Sequence, residues 1–247
     1  MISNVLWLLL AFTLSLLAVV WLNHKIFIQT NLFAFYLTRS PQRAYILYFL
    51  LMLPGIVVHE GSHWLAAKLL GLRPGKFRVW PQTKGKHLRL GSVTSRSGGI
   101  WLDSIVGLAP LIVGSLLIAL IGQHVFSAGQ IASALVLGDL EAAFRLLGTA
   151  LRQTDGPLWA YFLFTFANGM MPSAPDREPV KPVAVYVTLA IIVYLLLGLP
   201  LELFTGLLTV LLVPLQSISS TLLLTILIDS MVLIVVSLLT LLVRRST

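Results

Sequence analysis

YILYFLLMLPGIVVHEGSHWLAAKLL, residues Tyr45–Leu70, reads as a membrane-spanning helix that carries His59, Glu60 and His63 within five positions. An ionisable side chain in hydrocarbon costs about 2.5 kcal/mol or more, so such a residue is kept for a function. Residues four apart share a helix face, so His59 and His63 can direct their imidazoles at one metal ion. Glu60 projects beside them, where the general base of a zinc hydrolase belongs. The stretch therefore predicts a metal-dependent hydrolase working inside a bilayer.

Working outward, the 247-residue chain is 57% hydrophobic and 11% charged, against roughly 25% charged in a soluble domain. That composition predicts an all-α polytopic membrane protein, one membrane-embedded domain over 1–247, with no room for a separate soluble one. The net charge of +8 is explained by basic loops on a cytoplasmic face and is no nucleic-acid footprint. Cysteine is absent, so any metal must be held by His, Asp or Glu.

Apolar runs of about 20 residues place six spans near 5–23, 45–70, 100–121, 157–172, 181–200 and 218–243. The first run has no preceding basic residue and no small-residue cleavage pattern, so it reads as a retained span rather than a signal peptide. With both termini in the cytoplasm, the inner segments hold eleven Lys and Arg and the outer ones five, which favours that orientation. Between the second and third spans, Phe77 and Val79 alternate with Arg78, and Leu88 and Leu90 alternate with Arg89. This period-two pattern around the turn-rich PQTKGK predicts a cytoplasmic β-hairpin within 72–97. Helical spacing across 129–153 predicts an amphipathic helix on the outer surface.

A catalytic zinc site normally has three protein ligands. The acidic candidates in or near membrane segments are Asp103, Asp176, Asp229 and Glu202. Geometry favours Asp176. His59 lies about 21 Å along its helix from Tyr45, and Asp176 about 27 Å from Leu158 on a span running in the same direction. Both points fall in the cytoplasmic half of the bilayer. Pro172 and Pro175 break the helix there, and irregular backbone at membrane depth belongs where it is buried or lines a cavity. Asp103, near the inner surface, is the second choice, and Asp229 lies mid-helix in the last span.

HEGSH on an early span, a β-element, then Asn168-x-x-x-Pro172-x-x-Pro175-Asp176 on a later span together resemble the site-2 protease family of intramembrane metalloproteases. The resemblance covers roughly residues 45–180. It implies Zn2+ on His59, His63 and Asp176, Glu60 as the base, and Asn168 near the substrate backbone. The eight-residue step from Asn168 to Asp176 matches the family spacing, and Gly107-Leu108-Ala109-Pro110 is similar to an element the family carries on its third span. The chain departs from the pattern in having Arg177 where the family has glycine and a proline one position later than is common. It also has no insertion large enough for a PDZ or CBS domain.

The resemblance implies peptide-bond hydrolysis within or near the transmembrane segment of a membrane-protein substrate. Competing readings are a metal transporter, an inactive protease-like binding protein, and a zinc hydrolase of lipids or small molecules. A transporter would spread polar residues along a pathway, often in duplicated halves, whereas here they cluster at one depth. Compact size and the lack of organelle-targeting features point to a prokaryotic cell membrane.

Overall fold

Five helices among the described residues are long and apolar enough to cross a membrane: Trp7–Thr38, Pro41–Leu69, Ile100–His124, Ala174–Leu196 and Thr209–Arg244. The computed structural model describes residues 2–80, 82–84, 87–89, 96–198 and 202–245. The expectation of a polytopic helical membrane protein therefore holds. In chain order the elements are α1 (Ile2–Thr38), α2 (Pro41–Leu69), β1 (Gln82–Lys84), β2 (His87–Arg89), α3 (Ile100–His124) and α4 (Ala128–Val136). They continue with α5 (Leu140–Leu151), α6 (Gly156–Gly169), α7 (Ala174–Arg177), α8 (Val180–Leu196) and α9 (Glu202–Arg245).

Helix α1 continues well past the apolar run at 5–23. No proline or glycine interrupts it, and the Lys25 ammonium lies 5.7 Å from the centre of the Trp21 ring, so the charge is accommodated without ending the helix. Pro41 opens α2, where its missing N–H costs nothing.

The expectation of a continuous span at 157–172 is corrected. Helix α6 has 14 residues, about 21 Å, which falls short of the roughly 30 Å of hydrocarbon. Its Leu163, Phe164, Thr165, Ala167 and Asn168 are buried, and it packs against α1, α2, α3, α5 and α9. A buried core helix and a lipid-facing span are equally apolar, so periodicity alone does not separate them. After α6 the chain continues through Met170–Ser173 and α7. Ser104, one turn into α3, donates to the Pro179 carbonyl at 2.7 Å, so this irregular passage leads back to the end of the bundle where α3 begins.

Two further expectations change. The segment 129–153 is a pair of helices, α4 and α5, rather than one. Gly138 breaks it with φ of +76°, and Asp139 accepts from the Ala142 N–H to cap α5. The face of α5 formed by Ala143, Leu147 and Ala150 is buried, the i, i+4, i+7 stripe of an amphipathic helix. A hairpin occupying 72–97 is not supported. β1 and β2 pair antiparallel over three residues each, Leu72–Phe77 carry no strand, and 81, 85, 86 and 90–95 lie outside the described residues. So short a ladder has little stability of its own.

Two clusters fill the bundle interior around α6. One joins Leu22 and Ile26 to Met52, Phe126, Leu163 and Ile228; the other joins Val19, Ile118, Ala167, Met170 and Leu222. Between membrane helices lipid offers no hydrophobic gain, so contact comes from close approach at small residues. Gly55 of α2 meets Gly169 and the Thr165 carbonyl of α6, where an added Cβ would collide with the backbone. Gly114 of α3 abuts Met170, and Gly122 abuts Thr221 of α9 in the same way. Gly148 in α5 faces open space. Gly55→Ala is expected to destabilise the protein by about 1–3 kcal/mol, whereas Gly148→Ala should be neutral or stabilise by up to about 1 kcal/mol. Unfolding curves in detergent compare the two, and equal shifts would remove the close-approach argument.

Candidate metal centre

The HEGSH segment forms about one turn of α2, and its two imidazoles meet edge to face. Their ring centroids are 4.8 Å apart at 83°, and their Nε2 atoms are 3.2 Å apart. Each Nδ1 lies 2.8 Å from a backbone carbonyl on another helix. His59 reaches Gly169 at the end of α6, and His63 reaches Val106 in α3. A carbonyl only accepts, so each Nδ1 carries the proton and donates. Each Nε2 of the neutral ring is then a bare lone pair, the tautomer that a metal ligand requires.

The third group arrives from α7. Pro172 and Pro175 flank the turn that opens α7, with Pro175 in its first turn, where proline is tolerated. Ser173 and Asp176 form a reciprocal capping box, in which the carboxylate Oδ2 accepts from the Ser173 N–H at 2.7 Å and from its hydroxyl. That cap fixes the carboxylate facing α2. Asp176 Oδ2 lies 3.5 Å from His59 Nε2, and Oδ1 lies 3.3 Å from His63 Nε2. Gly107 of α3 makes room, because a Cβ there would collide with the Asp176 carbonyl oxygen.

Three acceptors therefore converge with no proton to share between the two imidazoles, an arrangement that a cation relieves. Ligand atoms held about 2.0–2.1 Å from one tetrahedral ion lie about 3.3 Å from each other. The two Nε2 atoms are 3.2 Å apart and each meets its own Asp176 oxygen, Oδ1 at 3.3 Å from His63 and Oδ2 at 3.5 Å from His59; one ligand atom from each residue lies within 4.8 Å of the others. His59, His63 and Asp176 could hold a metal ion, and among the described residues they form one such group. Their side chains retain 14%, 10% and 15% exposure, which leaves a face for a further ligand. Glu60, next along α2, is buried.

The other candidates lie elsewhere. Asp103 accepts from Ser97 Oγ and the Gly98 N–H, tying down the loop that leads into α3. The Glu202 side chain lies outside the described residues. Asp229 is fully buried in α9 and accepts from the Asn168 amide at 3.0 Å. The second hydrogen of that amide goes to the Phe164 carbonyl at 2.9 Å, so the nitrogen expected near a substrate is already engaged inside the bundle. The carbonyls of Val106 and Gly169 carry no signal in side-chain identity. The cap at Ser173 was readable, since Ser-x-x-Asp with proline in the first turn is a helix-start pattern.

No family model, curated protein or solved structure matches the chain.

Metal analysis of the purified protein tests the centre directly. His59→Ala, His63→Ala and Asp176→Ala should each lose bound metal, while Asp103→Ala should keep it. Ser173→Ala, which removes the hydroxyl bond to the carboxylate and leaves the backbone one, should weaken affinity by about 10-fold. Full retention in Asp176→Ala would move the third ligand.

Proposed function

We propose that this chain is a zinc-dependent intramembrane endopeptidase that hydrolyses a peptide bond within or near the transmembrane segment of another membrane protein. The observation that carries the reading is the convergence of His59, His63 and Asp176 at 3.2–3.5 Å, with a buried glutamate one residue from the first histidine. His59 precedes the end of α2 at Leu69 by ten residues, about 15 Å, which puts the group at membrane depth. The site-2 protease family that the motifs resemble supplies the precedent for this chemistry.

A bound zinc ion would supply Lewis acidity, activating water and polarising the scissile carbonyl. The protein residues do the rest. His59 and His63 present unprotonated Nε2 atoms because Gly169 and Val106 hold the protons on Nδ1. Asp176 contributes a negative charge fixed by Ser173. Glu60 accepts a proton from the attacking water and returns it to the leaving amine, so proton flow balances over the cycle. A substrate helix must unwind before attack, since its carbonyls are otherwise bonded.

Two observations support six passages with both termini in the cytoplasm. Basic residues fall eleven to five in favour of the inner segments. The chain between α6 and α8 returns to the start of α3, and α6 with this stretch then serves as the fourth passage.

Protein reconstituted in liposomes with a panel of single-span membrane proteins tests the reading. Wild type should cleave at least one of them and stop when zinc is chelated. Glu60→Gln should keep its zinc while turnover falls by about 10²-fold or more. Near-normal cleavage by Glu60→Gln would remove Glu60 as the base. Tight zinc binding with no cleavage of any single-span protein would favour a binding role.

A further inference from the structure

Helix α6 ends inside the bundle, and its terminal carbonyls have no partner within the helix itself. Three elements meet there. His59 of α2 donates to the Gly169 carbonyl, Asn23 of α1 donates through Nδ2 to the Asn168 carbonyl at 2.8 Å, and the Asn168 side chain folds back onto Phe164. The remaining hydrogen of the Asn168 amide goes to Asp229 of α9. Asp229 is fully buried, and no cation pairs with it among the described residues. Its Oδ2 and the Asn168 Oδ1 have no hydrogen-bond partner. A carboxyl group is a costly way to pack two membrane helices, since an apolar side chain of similar volume serves stability as well. Its position relative to His59 gives it another use. Asn168 immediately precedes Gly169, so whatever fixes the Asn168 side chain also fixes the carbonyl that holds His59.

We propose that Asp229 is a positioning residue for the metal centre. By gripping the Asn168 amide it locks the last turn of α6, and through the Gly169 carbonyl it sets the orientation of the His59 imidazole. This assignment rests on the metal-centre reading of His59, His63 and Asp176, and gives Asn168 a structural link in place of a purely substrate-facing one.

The test uses full-length protein in detergent, with zinc affinity measured by competition against a chromophoric chelator and ligand geometry by the visible absorption of the Co2+-substituted protein. Asp229→Leu is expected to lower zinc affinity by about 10- to 100-fold and to alter the Co2+ spectrum. Asp229→Asn, which keeps an acceptor for Asn168, should restore both. Asp229→Ser, too short to reach the amide, reads the same loss should the leucine variant not fold. Asn168→Leu combined with Asp229→Leu should weaken binding no more than the larger single change, as expected for one linked pair. Thr225→Val, at a fully buried position one turn away on α9, controls for packing damage: its metal affinity should stay at the wild-type value even if stability falls. A folded Asp229→Leu or Asp229→Ser protein with wild-type affinity and spectrum overturns the assignment, as does an Asp229→Asn protein as impaired as Asp229→Leu. Wild type without zinc affinity, or His59→Ala binding as tightly as wild type, brings down the metal centre itself and this assignment with it.

Discussion

Polar groups placed at hydrocarbon depth must find partners within the protein, because an unsatisfied donor or acceptor there costs several kcal/mol. The bond from His59 Nδ1 to the Gly169 carbonyl answers that demand for two groups at once. It occupies the N–H of an imidazole that a membrane helix would otherwise carry as a liability. It also closes a carbonyl at the end of a helix too short to cross the bilayer. The approach of α2 to α6 depends on the same place, since Gly55 and Gly169 touch where any side chain would hold the helices apart. With that contact made, α6 takes the central position in the bundle and the chain is free to leave helical geometry at Met170.

The irregular stretch after α6 is what lets a carboxylate reach the histidines. A continuous fourth helix would carry Asp176 past them along a straight axis. Instead the chain turns at Met170–Ser173, restarts as the short α7, and is capped by the same side chain that faces α2. Each of the three groups is steadied by an element other than its own helix turn. His59 is held by α6, His63 by α3, and Asp176 by the capping serine in the loop before α7. Packing thus holds all three groups in place, so an ion bound there would demand little reorganisation.

That arrangement also explains why so many glycines and small residues surround the site. Gly55, Gly107 and Gly114 each sit where a Cβ would strike backbone or the root of a side chain on a neighbouring helix. In water a protein can bring elements together by burying oil against oil. In lipid that gain is absent, and short-range contact with satisfied hydrogen bonds must supply the attraction. Close approach and polar closure are thus two parts of one solution, and both meet at the end of α6.

The amino-acid sequence by itself determined the class of the molecule and most of the group that could hold a metal ion. Composition and apolar run length read as a helical membrane protein, because the bilayer sets the required length directly. His59, Glu60 and His63 were legible because their spacing is local to one helix turn. Asp176 was reachable by depth along the helices and by the prolines around it. Tertiary structure alone decided that α6 is a short buried helix rather than a span, since apolar composition is the same for both. It decided that 129–153 folds as two helices and that β1 and β2 pair over three residues each within 72–97. It also decided what Asn168 and Asp229 touch, which sequence could not say: they lie 61 residues apart. Contacts of that kind, like the carbonyls that orient each histidine, come from how the helices cross, and backbone oxygens are the same in every residue.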